Sequence, residues 1–300
     1  MRTEKCAFFL SMKCLTLSQF VRSSKSNRPH YLLLGHPVEH SCSPIMHNTA
    51  LQHYDIEAEY HAINVQNSEL TDLASFLNKD PFLGANVTIP YKRSIADYMD
   101  RIDASAQQIG AINTIVKNEY QIEGYNTDYA GFMEPLQSYG FELEGASAIV
   151  FGTGGAARAI VHGLKKMGVE EIFLVSRSPN RITSYSDHRR VQIVSYENWP
   201  SFAEDALLIV NATPLGMHPN VDSSPVRDHE KSYLEGKICY DIVYNPVETQ
   251  FLKQAAESEA QTIDGLEMLI QQGSKSFELW TGHSFPINIV RDTLYEKFKN

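Results

Sequence analysis

The stretch Ala148-Ile-Val-Phe151 running into Gly152-Thr153-Gly154-Gly155-Ala156-Ala157 constrains the fold of this chain most. A compact apolar run that ends in glycines and leads into a helical pattern reads as strand, tight turn and helix. In a G-x-G-x-x-A turn the first glycine permits the bend, and the second lets backbone approach a pyrophosphate. The small Ala157 allows the helix to close on the strand. The helix N-terminus then offers unpaired N–H groups and a partial positive charge to the phosphates. A glycine turn with a purely structural role is the plain alternative. Further strands are expected at Glu171–Val175, Leu207–Val210 and Lys237–Asp241, which makes this part an α/β unit.

The end of the next strand decides between the two nicotinamide dinucleotides. A site for NAD usually places Asp or Glu there, roughly 20 residues past the glycines, to bind the ribose 2′-hydroxyl. This chain has Ser176-Arg177-Ser178 instead, with Arg181 four residues beyond Arg177. An acid would repel a 2′-phosphate, whereas guanidinium pairs with it bidentately. NADP is therefore the expected cofactor. Two solvated arginines on a loop are the competing reading.

At 300 residues the chain suits one large or two ordinary domains. Its apolar share of 43% and charged share of 21% are those of a soluble globular protein. A net charge of −10 argues against nucleic acid or an anionic membrane as partner. An anionic substrate then needs a local positive group. Cys6, Cys14, Cys42 and Cys239 form no C-x-x-C pair, so reduced thiols in a cytoplasmic protein are expected. His36 and His40 stand four apart, but Pro37 and Ser-Cys-Ser-Pro read as loop, and no metal site is expected. No apolar stretch approaches the roughly 20 residues that a membrane span requires. Residues 1–28 carry Arg2, Lys5, Lys13, Arg22, Lys25 and Arg28 against Glu4 alone, with frequent serine. They read as a disordered extension or an early start rather than a transit peptide, and are set outside the fold.

The front half alternates strand and helix. Tyr31-Leu-Leu-Leu-Gly35 reads as a buried strand, and Ser43 to Tyr54 as a helix with Pro44 in its first turn. Glu59–Val65 reads as strand, followed by a helix through Leu70, Leu73, Phe76 and Leu77. A mostly parallel sheet follows from that order. In Gly84-Ala-Asn-Val-Thr-Ile-Pro-Tyr-Lys92 a short strand Val87–Ile89 is closed by Pro90, with a helix-like stretch from Lys92. Thr88 and Lys92 thus arrive at one spot. A lysine past a strand end is by itself usually a solvated surface residue. Asn86-Val-Thr fits a glycosylation sequon, for which a structural hydrogen bond from Asn86 is the better reading.

Three more segments join that one: Gly35-His-Pro-Val-Glu-His-Ser-Cys-Ser-Pro-Ile-Met-His-Asn48, Gly110-Ala-Ile-Asn-Thr114 and Gly124-Tyr-Asn-Thr-Asp-Tyr-Ala-Gly131. At these residues the chain resembles the shikimate dehydrogenase family, from about Tyr31 to the C-terminus. The resemblance implies two α/β domains, an N-terminal mostly parallel substrate domain and a Rossmann-type NADP-binding domain. It implies a substrate domain over residues 29–127, an NADP domain over 128–264, and helices over 265–300 that return to the substrate domain.

The activity so implied is reversible NADP-dependent reduction of 3-dehydroshikimate to shikimate, a step of chorismate and aromatic amino acid biosynthesis. Ser41 and Ser43 match carboxylate-binding serines, and hydroxyl donors suit that task; a capping role before Pro44 is compatible with it. Thr88, Asn113, Tyr244 and Gln272 match the remaining substrate contacts. Lys92 and Asp128 match the chemical pair. A positioned ammonium stabilises the negative charge that hydride transfer builds on oxygen, and Asp128 keeps Lys92 charged and oriented. An Asx-type cap at Tyr129 is the plain alternative for Asp128. Cofactor contacts fall on Gly152, Thr153, Gly154, Gly155, Ala156, Ser176, Arg177, Ser178, Arg181, Ile242 and Gly265. Ser176 departs from the family's usual asparagine. A quinate/shikimate dehydrogenase with dual cofactor use is the near alternative, and a catalytically silent sensor of the same ligands is the distant one. Monomer and homodimer both remain open.

Overall fold

The computed structural model of the chain describes residues 14–119, 121–181, 185 and 190–299. Two compact units form. Of the described residues, one comprises those up to Thr127 together with those from Gly273 onward, and the other those from Asp128 to Gln272. The second boundary falls inside the Gly265–Thr281 helix, whereas the sequence reading draws it at residue 265.

In the first unit seven strands make one sheet: β1 (Leu15–Thr16), β2 (His30–Gly35), β3 (Glu59–Asn64), β4 (Phe82–Val87), β5 (Arg101–Ile102), β6 (Thr114–Lys117) and β7 (Ile122–Tyr125). Their order is β1-β3-β2-β4-β6-β7-β5. The first four run parallel, and β6 is antiparallel to both β4 and β7. Side chains alternate across the pleat. Leu32 and Leu34 enter a core with Ile63, Phe82, Ala85 and Val87. From the opposite face of β2, Tyr31 stacks on Trp280 with ring centroids 4.8 Å apart. The Trp280 indole N–H donates to the Ile115 carbonyl at 2.9 Å, which ties the end of its helix to this sheet.

The structure corrects the reading of residues 14–28 as lying outside the fold. Leu15 and Thr16 pair in parallel with Ile63 and Asn64 of β3. Thr16 then forms a capping box with Gln19 and starts a helix at Leu17–Val21. Leu17 and Phe20, three residues apart, both point inward, and Phe20 lies 5.0 Å from the His30 ring and 5.4 Å from that of His61. Burial of one such phenylalanine is worth about 1.5–3 kcal/mol. Basic and serine-rich neighbours hid this apolar pair. Residues 1–13, including Cys6, lie outside the described residues.

A second correction concerns Thr88 and Lys92. Strand β4 ends at Val87. The Thr88 N–H still reaches the Leu34 carbonyl at 2.9 Å, but its own carbonyl accepts from Tyr91 N–H at 3.0 Å and closes a turn. Lys92 therefore sits on turn backbone, with a 3-10 segment at Ser94–Tyr98 after it instead of a helix.

In the second unit β8 (Ser147–Phe151), β9 (Glu171–Ser176), β10 (Val191–Ser195), β11 (Ala206–Asn211), β12 (Ile238–Asp241) and β13 (Gln261–Ile263) are all parallel, in the order β10-β9-β8-β11-β12-β13. That is the order of a Rossmann sheet. Its central strands are apolar on both faces. Ala148, Val150, Leu174 and Val210 enter one core, and Ile149, Phe151, Val175 and Ile209 enter the other. Strands buried on both sides read as continuous apolar runs, which is why they were visible in the sequence. Among the described residues no helix is long and apolar enough to cross a membrane.

Candidate active site and cofactor site

The glycine turn leaves β8 at Phe151. Gly152 has φ +108, and a Cβ there would lie 2.9 Å from the Ala212 carbonyl oxygen, so only glycine fits. Gly154 is the N-cap of the Gly155–Lys166 helix. A Cβ at Gly154 meets nothing within 4 Å, which leaves the backbone open to a ligand. Ala157 is fully buried where the helix meets the sheet. The first N–H groups of that helix, those of Gly155 and Ala156 among them, have no intrahelical partner and are free to meet an anion. Tyr185 reaches back to this turn, its hydroxyl 3.4 Å from the Thr153 carbonyl, and the Arg158 guanidinium lies 5.4 Å over its ring.

At the end of β9 the Ser176 hydroxyl accepts from Ser178 N–H at 3.1 Å. Arg181 N–H donates to the Ser178 carbonyl at 3.1 Å. These two bonds curl the segment so that Arg177, Ser178 and Arg181 are all exposed. No carboxylate occurs between Ser176 and Arg181. An open glycine turn beside exposed arginines fits a dinucleotide that carries an extra phosphate.

A buried polar knot shapes the ends of β11 and β12. Asp241 is fully buried and accepts from Thr249 Oγ1 at 2.6 Å, Val243 N at 2.9 Å and Asn211 Nδ2 at 3.0 Å. Burial nevertheless pushes its carboxyl up to about 6, against those three bonds. The Asn211 amide also donates to the Leu215 carbonyl at 3.0 Å. This knot sets the turn that carries Ile242 and Tyr244. Gly265 closes against it, with the position of a Cβ only 2.5 Å from the Ile242 carbonyl. Ile242 and Gly265 are thereby brought together.

The first unit holds Ser41, Ser43, Thr88, Lys92 and Asn113. The Ser41 hydroxyl accepts from Ser43 N–H and donates to Ser43 Oγ, both at 3.2 Å. The helix starts at Ser43 with Cys42 as N-cap and no side-chain bond from that residue, so the Ser41 hydroxyl is what takes up the first N–H of the helix. The Lys92 carbonyl accepts from Ile112 N–H at 2.6 Å, and Val87 N–H donates to the Asn113 carbonyl at 2.8 Å. These bonds bring the Thr88–Lys92 turn beside Asn113. Asn113 is 2% exposed and its amide Oδ1 accepts from Thr127 N–H at 2.7 Å.

The second unit holds Asp128, Tyr244 and Gln272. Asp128 is the buried first residue of the Asp128–Met133 helix. Gly131, one turn on, faces Gln272 so closely that a Cβ would lie 2.7 Å from the Gln272 amide nitrogen. Asp128 and Gln272 thus sit on two helices in close contact.

The sequence reading did not anticipate Thr114, Thr127, Ser276, Asp241, Asn211 or Tyr185. Thr114 and Thr127 belong to the Gly110–Thr114 and Gly124–Gly131 segments, while Ser276 is a serine in a helical stretch with no local signal. The structural role expected of Asn86 is borne out: it accepts from the Tyr60 hydroxyl at 2.9 Å and donates to Ser276 Oγ at 2.9 Å. Among the described residues no group of three or more His, Cys, Asp or Glu side chains is placed to hold a metal. The described cysteines Cys14, Cys42 and Cys239 are free thiols.

A Rossmann-ordered unit with an open glycine turn and arginines after its second strand defines a protein of the NADP-dependent oxidoreductase class. Comparison with known proteins narrows that class. Residues 33–115 match the shikimate dehydrogenase substrate binding domain, and residues 265–295 match the shikimate 5′-dehydrogenase C-terminal domain. The NADP(+) shikimate dehydrogenase of Salinibacter ruber is 39% identical over 271 residues, which is 87% of this chain and 95% of that protein. The crystal structure of shikimate 5-dehydrogenase from Thermus thermophilus in complex with NADP(H) and shikimate superposes with a TM-score of 0.79 at 33% identity, covering 89% of this chain and 98% of that one. A quinate dehydrogenase from Corynebacterium glutamicum in complex with NAD is similar at TM-score 0.78 and 27% identity, over 89% of this chain and 98% of its own. The chain belongs to the shikimate dehydrogenase family.

Proposed function

We infer that this protein catalyses the reversible NADP-dependent reduction of 3-dehydroshikimate to shikimate in aromatic amino acid biosynthesis. The observation that carries this reading is the near full-length likeness to NADP(+) shikimate dehydrogenases, in a chain that has Lys92 and Asp128 at the expected positions of its own motifs. The absence of an acid at the end of β9 supports NADP over NAD.

The residue roles follow from chemistry. NADPH, when bound, supplies the hydride. Gly152 to Ala156 would hold the pyrophosphate and Ser176, Arg177, Ser178 and Arg181 the 2′-phosphate, with Ile242 and Gly265 as further cofactor contacts. Ser41 and Ser43 bind the substrate carboxylate, and Thr88, Asn113, Tyr244 and Gln272 make the remaining substrate contacts, Asn113 to a hydroxyl. Lys92 stabilises the developing alkoxide and delivers its proton, while Asp128 orients the ammonium and the adjacent hydroxyl. The free thiols and the net charge of −10 support a cytoplasmic protein whose ligands are small molecules.

The test is absorbance at the NADPH band, with shikimate and quinate each offered with NADP and NAD. Turnover confined largely to shikimate with NADP is expected. Comparable turnover of quinate with NAD would move the protein to the dual-specificity branch. Binding without turnover would make it a sensor.

A further inference from the structure

Behind Asn113 four side chains close a ring of hydrogen bonds. The backbone N–H of Thr127 can only donate, and it gives its proton to Asn113 Oδ1 at 2.7 Å. That fixes the amide, so Asn113 Nδ2 is the donor to Thr127 Oγ1 at 2.9 Å. The Thr127 hydroxyl is hydrogen-bonded to Ser276 Oγ at 3.2 Å, and Ser276 Oγ to Thr114 Oγ1 at 2.8 Å. Thr114 Oγ1 returns the chain to Asn113 Oδ1 at 3.0 Å.

Ser276 is the member that binds this ring to the rest of the unit. Asn86 Nδ2 donates to Ser276 Oγ at 2.9 Å and to Thr114 Oγ1 at 3.2 Å, while Asn86 Oδ1 is held by the Tyr60 hydroxyl. Ser276 and Thr114 are fully buried, and Thr127 is 4% exposed. Hydrogen bonds in such a dry ring polarise one another, so loss of one weakens the others.

We propose that Ser276 is a positioning residue for substrate recognition, acting through the Thr114–Asn113–Thr127 ring. It braces the Thr114 and Thr127 hydroxyls that flank the Asn113 amide, and so holds the place from which Asn113 meets a substrate hydroxyl. It also fixes Thr127, the residue before Asp128. This rests on the reading of Asn113 as a substrate contact.

The experiment compares Ser276→Ala, Thr114→Val and the double variant by steady-state kinetics and thermal melting. Each folded single variant is expected to lose about tenfold in kcat/KM for shikimate, with KM for NADP within about twofold of wild type. The double variant should be little worse than the poorer single, because both break the same ring. Should Ser276→Ala not fold, the near-isosteric Thr114→Val provides the same comparison. Folded single variants with unchanged shikimate kinetics overturn the proposal, as do equal losses for both substrates or losses that multiply in the double. Wild-type protein that does not oxidise shikimate at all would instead refute the assigned reaction.

Discussion

Gly131 packs against Gln272 with no room for a side chain, since a Cβ on the glycine would lie 2.7 Å from the Gln272 nitrogen and 2.8 Å from the Met268 carbonyl oxygen. Real Cβ contacts do not come that close, and both neighbours are helix backbone. Gly131→Ala must therefore push apart the helices that carry Asp128 and Gln272. A loss of about 1–3 kcal/mol in stability is expected. Because a misplacement of about 1 Å in a catalytic geometry can cost on the order of 10²-fold, kcat/KM for shikimate should fall by at least tenfold. Denaturant melts and initial rates on the same preparation check both halves.

The exposed arginines after β9 predict a cofactor-selective defect. Arg177→Asp places a carboxylate where a 2′-phosphate is expected and removes a bidentate partner. KM for NADP should rise on the order of 10²-fold, a loss of about 2–3 kcal/mol, while that for NAD should change only a few-fold. Equal losses with both cofactors would count against the 2′-phosphate role.

Asp241 predicts a pH dependence of stability. Burial raises its folded-state carboxyl from 3.8 to about 6. Its folded pKa is above the unfolded one, so the protonated form favours the folded state. The associated stability is fully present below about pH 4 and is lost as pH rises through 6. A shift of this size corresponds to roughly 2–3 kcal/mol. Asp241→Asn removes the titration and keeps an acceptor for Val243 N–H. The stability difference, wild type minus variant, should therefore fall between about pH 4 and about pH 6.5 and then level off. A difference that stays flat across that range would remove Asp241 from the account.

The parts of the fold that were legible and those that were not differ in burial. β8, β9, β11 and β12 are covered on both faces, so their apolar runs marked them to within a residue or two at each end. β13 is a short, largely exposed strand and β10 carries exposed Gln192, so neither shows such a run. The β6–β7 hairpin was missed for a related reason, since Ile122-Glu-Gly-Tyr125 buries a glutamate and a glycine. Leu17 and Phe20 were hidden by their basic surroundings. The glycine turn and its arginines are local in sequence and could be read directly. Ser276 could not, because its partners Asn86, Thr114 and Thr127 lie 149 to 190 residues away.

In the proposed reaction Lys92 stabilises the oxygen of the reacting carbon and protonates it. The most direct measurement is kcat for shikimate oxidation by Lys92→Ala, with thermal melting to show that the variant is folded. A fall in kcat by a factor on the order of 10² or more, with the melt unchanged, is the predicted result. Near-normal turnover by the folded variant would contradict it.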